Sequence, residues 1–296
     1  MWLRTRQTDM RSVSDVESFN EQLHTILRNT WAHLKSWAVF FSLLMLMSLM
    51  GIVAWFLKKR IFIEPPHLES RVSAISPVDA FGFVGLWVLF RLVWGGIFPI
   101  FGLVDPLAIV FMDYLPSALF GLFLIYTACS KAKIGWGDIG LRIPNSFAVW
   151  KKAIGLSLLA FMMALPLVYF CQILNALVWS SYDLMAPLML RIYEGGDMLP
   201  FAFISVGVAA VFEELLFRGL LFSSLRARTN LERTNWLQAI AFALFHFNPT
   251  SFLPLLALGM VMGRVRETTT SVLPCIIVHA LWNLTVCLVT YFQLGA

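Results

Sequence analysis

Apolar runs separated by short polar breaks recur along the chain, at residues 37–57, 80–104, 107–129, 153–178, 199–221, 236–247, 252–262 and 271–292. A hydrocarbon core about 30 Å thick takes about 20 apolar residues to cross as a helix. Runs six and seven fall short of that length. They are expected to extend into neighbouring polar residues or to sit shielded inside a bundle. The pattern predicts an all-α fold, a polytopic transmembrane helix bundle of about eight spans. Ahead of the first run, Val16, Phe19, Leu23, Ile26, Leu27, Trp31 and Leu34 recur at helical spacing. That stripe suggests an amphipathic helix, either lying in the membrane interface or packed on the bundle.

Composition strengthens the membrane reading. The chain has 296 residues, of which 59% are hydrophobic and 13% charged, with a mean hydropathy of +0.78. Soluble domains carry roughly 45–50% apolar and about 25% charged residues. Little length is left for a separate soluble domain. The net charge of +5 is no nucleic-acid footprint. The basic residues gather in alternate connections: Lys58, Lys59, Arg60 and Arg71; Lys131, Lys133, Arg142, Lys151 and Lys152; Arg226, Arg228 and Arg233; Arg264 and Arg266. The connections between them hold only Arg191. By the positive-inside rule the basic connections are cytoplasmic and both termini lie outside. The first apolar run follows a charged leader and is long enough to span, so it reads as a span and not as a signal peptide. Cys129, Cys171, Cys275 and Cys287 all fall in or beside apolar runs without CxxC spacing, as small core hydrophobes do. Three segments follow: a polar or amphipathic segment at 1–36, variable N-terminal spans at 37–129, and a core at 130–296.

Ionisable residues inside spans are costly and usually functional. The fifth run carries Glu213, Glu214 and Arg218. Glu214 and Arg218 have the i,i+4 spacing of a helical ion pair. Adjacent residues point about 100° apart on a helix, so the two carboxylates are expected to serve different partners, with Glu213 free to face a cavity. The bland alternative is an interhelical ion-pair cluster. The sixth run places Phe242 and His246 on one face, and the last places His279 and Asn283 on one face. Each pair alone would pass as a satisfied core histidine or as interhelical glue. Their depths argue otherwise. At 1.5 Å per residue, Glu213 lies roughly 10 Å, His246 about 15 Å and His279 about 12 Å from the cytoplasmic face. Three spans bring polar groups to one level, in the cytoplasmic half.

A carboxylate among apolar walls is a candidate general base, His246 can share its proton or orient a water, and His279 and Asn283 can supply N–H donors to an oxyanion. Base, water and donors amount to direct hydrolysis without a covalent intermediate. No cofactor is expected. Zinc is the one metal that two histidines and a glutamate could hold, although no HExxH pattern is present. Gly259 and Gly263 form a GxxxG step, read as close helix packing.

At these residues the sequence resembles the CAAX-protease and bacteriocin-processing family, membrane proteases that include the prenyl-protein endopeptidases of the endoplasmic reticulum. Its EExxxR motif corresponds to Glu213, Glu214 and Arg218, followed by Gly219; FxxxH to Phe242 and His246; HxxxN to His279 and Asn283. The approach through Arg264, Arg266, Ser271, Pro274 and Ile276, and residues 133–142, are also similar. Thr270 departs where many members have glycine. The resemblance covers roughly residues 130–292. It implies a glutamate-type intramembrane endopeptidase with Glu213 as water-activating base helped by His246, and with His279 and Asn283 as the oxyanion hole. Glu214, Arg218 and Phe242 support them. The expected partner is a membrane-associated protein or peptide substrate in a bacterial inner membrane, and no nucleic acid. Two rivals stand beside it: a non-catalytic immunity or scaffold protein, and a proton-coupled transporter, for which no inverted repeat is visible.

Overall fold

The computed structural model describes residues 71–97, 105–178 and 186–294. The run at 37–57 and the stripe of residues 16–34 lie outside them. Among the described residues every regular element is helical. We number the helices α1 (Pro77–Gly95), α2 (Pro106–Ala132), α3 (Phe147–Val178), α4 (Ala186–Glu194), α5 (Met198–Arg226), α6 (Leu231–Leu244), α7 (Phe252–Thr269) and α8 (Leu273–Leu294). Five of them, α1, α2, α3, α5 and α8, are long and apolar enough to cross a membrane.

Local chemistry sets the boundaries. Ser76 caps α1 in a capping box with Asp79, and Pro77 occupies the first turn, where its missing N–H is not needed. Asp105 caps α2 by accepting from the N–H of Ala108 at 2.6 Å, again ahead of a proline. Asn230 caps α6 by accepting from the N–H of Arg233 at 2.9 Å. Pro116 sits inside α2 and cannot bond the Met112 carbonyl four residues back. The Trp94 indole of α1 donates to that carbonyl at 2.7 Å. One helix thus repairs the defect of its neighbour and is tied to it.

The bundle is apolar outside and polar inside, as lipid demands. Leu89 and Leu92 on α1, Leu119 and Phe123 on α2, Phe170 on α3 and Leu288 on α8 are exposed, whereas Glu213, Glu214, Arg218, Asn235, Gln238, Arg266 and His279 are buried.

Both short runs extend into neighbouring polar residues, one of the two ways expected. Helix α6 begins earlier than its apolar run and has 14 residues, and α7 runs on through Arg264, Arg266 and Glu267 to reach 18. At 1.5 Å per residue, α6 is about 21 Å long. Neither is among the five helices fit to span. They pack tightly on each other. The Gln238 amide donates to the Gly259 carbonyl at 2.9 Å and the Asn235 amide to the Met260 carbonyl at 3.0 Å. A Cβ at Gly259 would meet the Ala239 backbone at 3.0 Å, and one at Gly263 would lie 1.8 Å from Asn235 Oδ1. The GxxxG step is therefore a packing device.

Arg266 fastens residues 133–142 against α5. Its Nε donates to the Arg218 carbonyl at 3.0 Å, and its Nη2 donates to the Ile139 carbonyl at 3.2 Å and to Ser223 Oγ at 3.1 Å. Gly140, at φ +95°, leaves room for the guanidinium, which a Cβ would approach to 2.5 Å. The four cysteines are free thiols.

The departure at Thr270 has a conformational cost. Thr270 is left-handed at φ 53°, ψ 14°, closing α7 with a 2.9 Å bond from its N–H to the Arg266 carbonyl. A β-branched residue is strained there by about 1–2 kcal/mol, part of which glycine forfeits through its freer unfolded chain. Thr270→Gly is expected to stabilise the protein by about 1 kcal/mol. A lower midpoint of thermal unfolding in detergent, for variant against parent, would contradict this.

Candidate active site

The site is built on an irregular helix. Within α5, residues Phe203–Ala209 and Leu215–Leu221 are wide π-helical turns, and Glu213 and Glu214 sit in the single α turn, Ala210–Glu214, between them. Wide turns of this kind are rare and concentrate at functional sites. Their backbone carbonyls engage other helices: Ser205 accepts from the Asn283 amide of α8 at 2.7 Å, and Arg218 accepts from Arg266 of α7.

The second carboxylate is committed through one oxygen, its Oε2 being buried with no protein hydrogen bond. Glu214 Oε1 accepts from Arg218 Nη1 at 2.8 Å and from His279 Nδ1 at 2.9 Å, and both members of the ion pair are sealed from solvent. Arg218 also reaches the Gly259 carbonyl at 3.4 Å and stacks over the Phe242 ring at 4.3 Å. Phe242 in turn packs edge-on against both histidines. It is the wall on which cation and imidazoles rest.

Glu213 is held differently. Its Oε1 accepts from the Tyr114 hydroxyl of α2. Its Oε2 is buried with no protein hydrogen bond. Facing that oxygen are His246 Nε2 at 3.7 Å and His279 Nε2 at 4.0 Å. His246 is the more open of the two, with 29% of its side chain exposed.

Hydrogen-bond partners fix the tautomers. His246 Nδ1 lies 2.7 Å from the Phe242 carbonyl, which can only accept, so Nδ1 carries the proton. His279 Nδ1 faces the Glu214 carboxylate and carries its proton for the same reason. In the neutral form of each ring, Nε2 then presents a lone pair toward Glu213 Oε2.

The structure thus brings Glu213, Glu214, Arg218, Phe242, His246 and His279 together from α5, α6 and α8. Glu213 bonds Tyr114, whereas Glu214 bonds Arg218 and His279; the far edge of the same imidazole faces Glu213 at 4.0 Å without a hydrogen bond. One expectation needs correction. His246 is not inside a helix but in the turn beyond α6, because Pro249 forces Asn248 into an extended conformation and Phe247 turns left-handed at φ 48°. Asn283 gives an amide N–H to the Ser205 carbonyl, which leaves only its second N–H for an oxyanion. Sequence reasoning missed Tyr114. No spacing rule links it to Glu213, 99 positions away.

Residues 195–285 match the family model of type II CAAX prenyl endopeptidase Rce1-like proteins. The match is narrower than the region of resemblance read from the sequence, and it contains all three motifs. No curated protein and no solved structure matches the chain. With five helices fit to span and a match to a family of membrane proteases over residues 195–285, the chain is an integral membrane protein similar over that stretch to CAAX endopeptidases.

Proposed function

We propose that the protein is a glutamate-type intramembrane endopeptidase that hydrolyses a peptide bond in a membrane-associated protein or peptide. The observation that carries this reading is the approach of His246 Nε2 and His279 Nε2 to Glu213 Oε2, at 3.7 and 4.0 Å, all three being acceptors when the rings are neutral. Such gaps exceed a direct hydrogen bond and suit a water that donates to two of the three. A water held only by acceptors is polarised for attack. Glu213 takes its proton, helped by His246, as the oxygen adds to the scissile carbonyl. The second N–H of Asn283 stabilises the oxyanion, while His279, whose Nε2 carries a lone pair in the neutral ring, helps to hold the attacking water. Glu214 and Arg218 hold His279 in its tautomer. The leaving amine recovers the proton from Glu213, and no covalent intermediate is needed. This reading sets the protein in a bacterial inner membrane, with the site in the cytoplasmic half.

The test compares wild type with Glu213→Ala in membranes of the native cell, reading the terminal peptides of small membrane proteins by mass spectrometry. A truncated terminus that disappears only in the variant, at equal protein abundance, supports the reading and names the substrate. Identical peptide profiles, with the deletion phenotype rescued by Glu213→Ala, favour a non-catalytic scaffold instead.

A zinc-dependent peptidase is the second reading. It is favoured by the same convergence, because both Nδ1–H groups are bound to an oxygen as metal-ligating histidines require. Against it, ligands about 2.0–2.2 Å from a tetrahedral zinc lie about 3.4 Å apart, closer than the separations here. Among the described residues no group of three or more His, Cys, Asp or Glu is placed to hold a metal. Cleavage by the purified protein is expected to persist in phenanthroline. Inhibition that added zinc reverses would make zinc the better reading.

A further inference from the structure

Helices α1 and α2 lie outside residues 195–285, yet they reach the centre of the site. Tyr114 donates its hydroxyl hydrogen bond to Glu213 Oε1, and Tyr114 is itself gripped. Arg91 of α1 lies 5.6 Å from the centre of the Tyr114 ring and donates from Nη2 to Asp113, the residue before Tyr114, at 2.9 Å. One turn earlier on α1, Trp87 donates from its indole to the Ser117 carbonyl at 3.0 Å and packs on Phe212, the residue before Glu213, at 5.2 Å. Phe212 enters α2 where Gly121 has no side chain: a Cβ there would lie 2.2 Å from the phenylalanine ring. Two consecutive residues of α5 are therefore gripped by two consecutive turns of α1 through α2.

These contacts have a direction. A carboxylate is free to rotate about its terminal bond. Fixing Oε1 on Tyr114 leaves Oε2 as the oxygen that faces His246 and His279. The cation over the tyrosine ring, anchored by Asp113, fixes the ring plane. The remaining contacts, Trp87 on Phe212 and Phe212 against Gly121, fix the helix backbone that carries Glu213. Such polar groups are expensive inside a membrane protein unless they serve the site.

We propose that Tyr114 is a positioning residue for the reaction: with Arg91 and Asp113 behind it, it holds the Glu213 carboxylate so that Oε2 alone meets the nucleophile. The N-terminal spans are then part of the catalytic unit. This rests on the peptidase reading above. The test uses the full-length protein purified in detergent and the peptide that the comparison of native membranes identifies. Tyr114→Phe, which removes only the hydroxyl, should lower kcat about 10- to 100-fold with KM and thermal unfolding unchanged, the scale of a misplaced catalytic group. Gly121→Ala, remote from the hydroxyl, should also lower kcat at unchanged KM by displacing Phe212. Independently of turnover, the infrared difference between Tyr114→Phe and wild type should contain a shifted carboxyl band that vanishes in a Glu213→Gln background. Retained kcat in Tyr114→Phe, a raised KM with kcat intact, or a difference spectrum without that band overturns the proposal. A wild type that cleaves nothing overturns the peptidase reading and, with it, the catalytic sense of the clamp. The band then reports the Tyr114–Glu213 contact alone.

Discussion

Glu213→Gln is expected to lower kcat/KM about a thousandfold or more, at unchanged KM, in a protein at least as stable as the wild type. The amide has nearly the shape of the carboxylate, so packing against Tyr114 and the two imidazoles is preserved. What it lacks is a site for the proton of an attacking water. General-base assistance contributes about a hundredfold to ten-thousandfold, or roughly 3–5 kcal/mol of barrier. His246 and His279 still present Nε2 lone pairs in their neutral forms, so the turnover that remains measures what the imidazoles contribute as bases. Stability moves the other way. Glu213 Oε2 is a buried acceptor with no protein partner, an arrangement that costs about 1–3 kcal/mol. The new N–H can donate toward the bare nitrogen of His246, 3.7 Å away in the parent. A residue whose removal destroys turnover and improves folding is one kept for chemistry. Single-turnover cleavage and thermal unfolding in the same detergent check both halves. A variant that keeps its rate, or that unfolds, removes Glu213 from the role of base.

The part of the site that could be read from the sequence is the part encoded at short range. The i,i+4 spacing of Glu214 and Arg218 survives as a 2.8 Å ion pair, even though a wide turn begins between them. Depth counted from rise per residue placed Glu213, His246 and His279 at similar levels, and in the structure each histidine lies within 4.0 Å of Glu213. Contacts between helices were not legible. Tyr114 meets Glu213 only because α2 packs beside α5, and Gly121 looks unremarkable until Phe212 is seen filling its place. The wide turns of α5 leave no sequence signal either, since they arise where other helices hold the backbone carbonyls of Ser205 and Arg218. Apolar run length misjudged α6 and α7 for a physical reason. Their polar residues, Asn235, Gln238 and Arg266, face one another or α5 inside the protein, so hydropathy no longer reports where these helices lie.

The other large effect separates structure from chemistry at the second carboxylate. Arg218→Met is expected to cost about 3–5 kcal/mol and to leave little folded protein, because it strands the Glu214 charge where no solvent reaches it. Glu214→Gln alone should be similarly damaging, as it strands the guanidinium over Phe242. The double variant Glu214→Gln/Arg218→Met removes both charges, and an apolar replacement of a buried pair is often close to neutral. It is expected to recover folding, seen as a monodisperse peak and a cooperative thermal transition. Turnover should not recover with it. The His279 Nδ1 proton would then face an amide, which can present either its oxygen or its N–H, and the tautomer that turns Nε2 toward Glu213 would no longer be enforced. A folded but slow double variant means that the Glu214–Arg218 pair is retained to orient His279. A folded and fully active one means that the pair is only structural, and that His279 finds its orientation from the Phe242 wall alone.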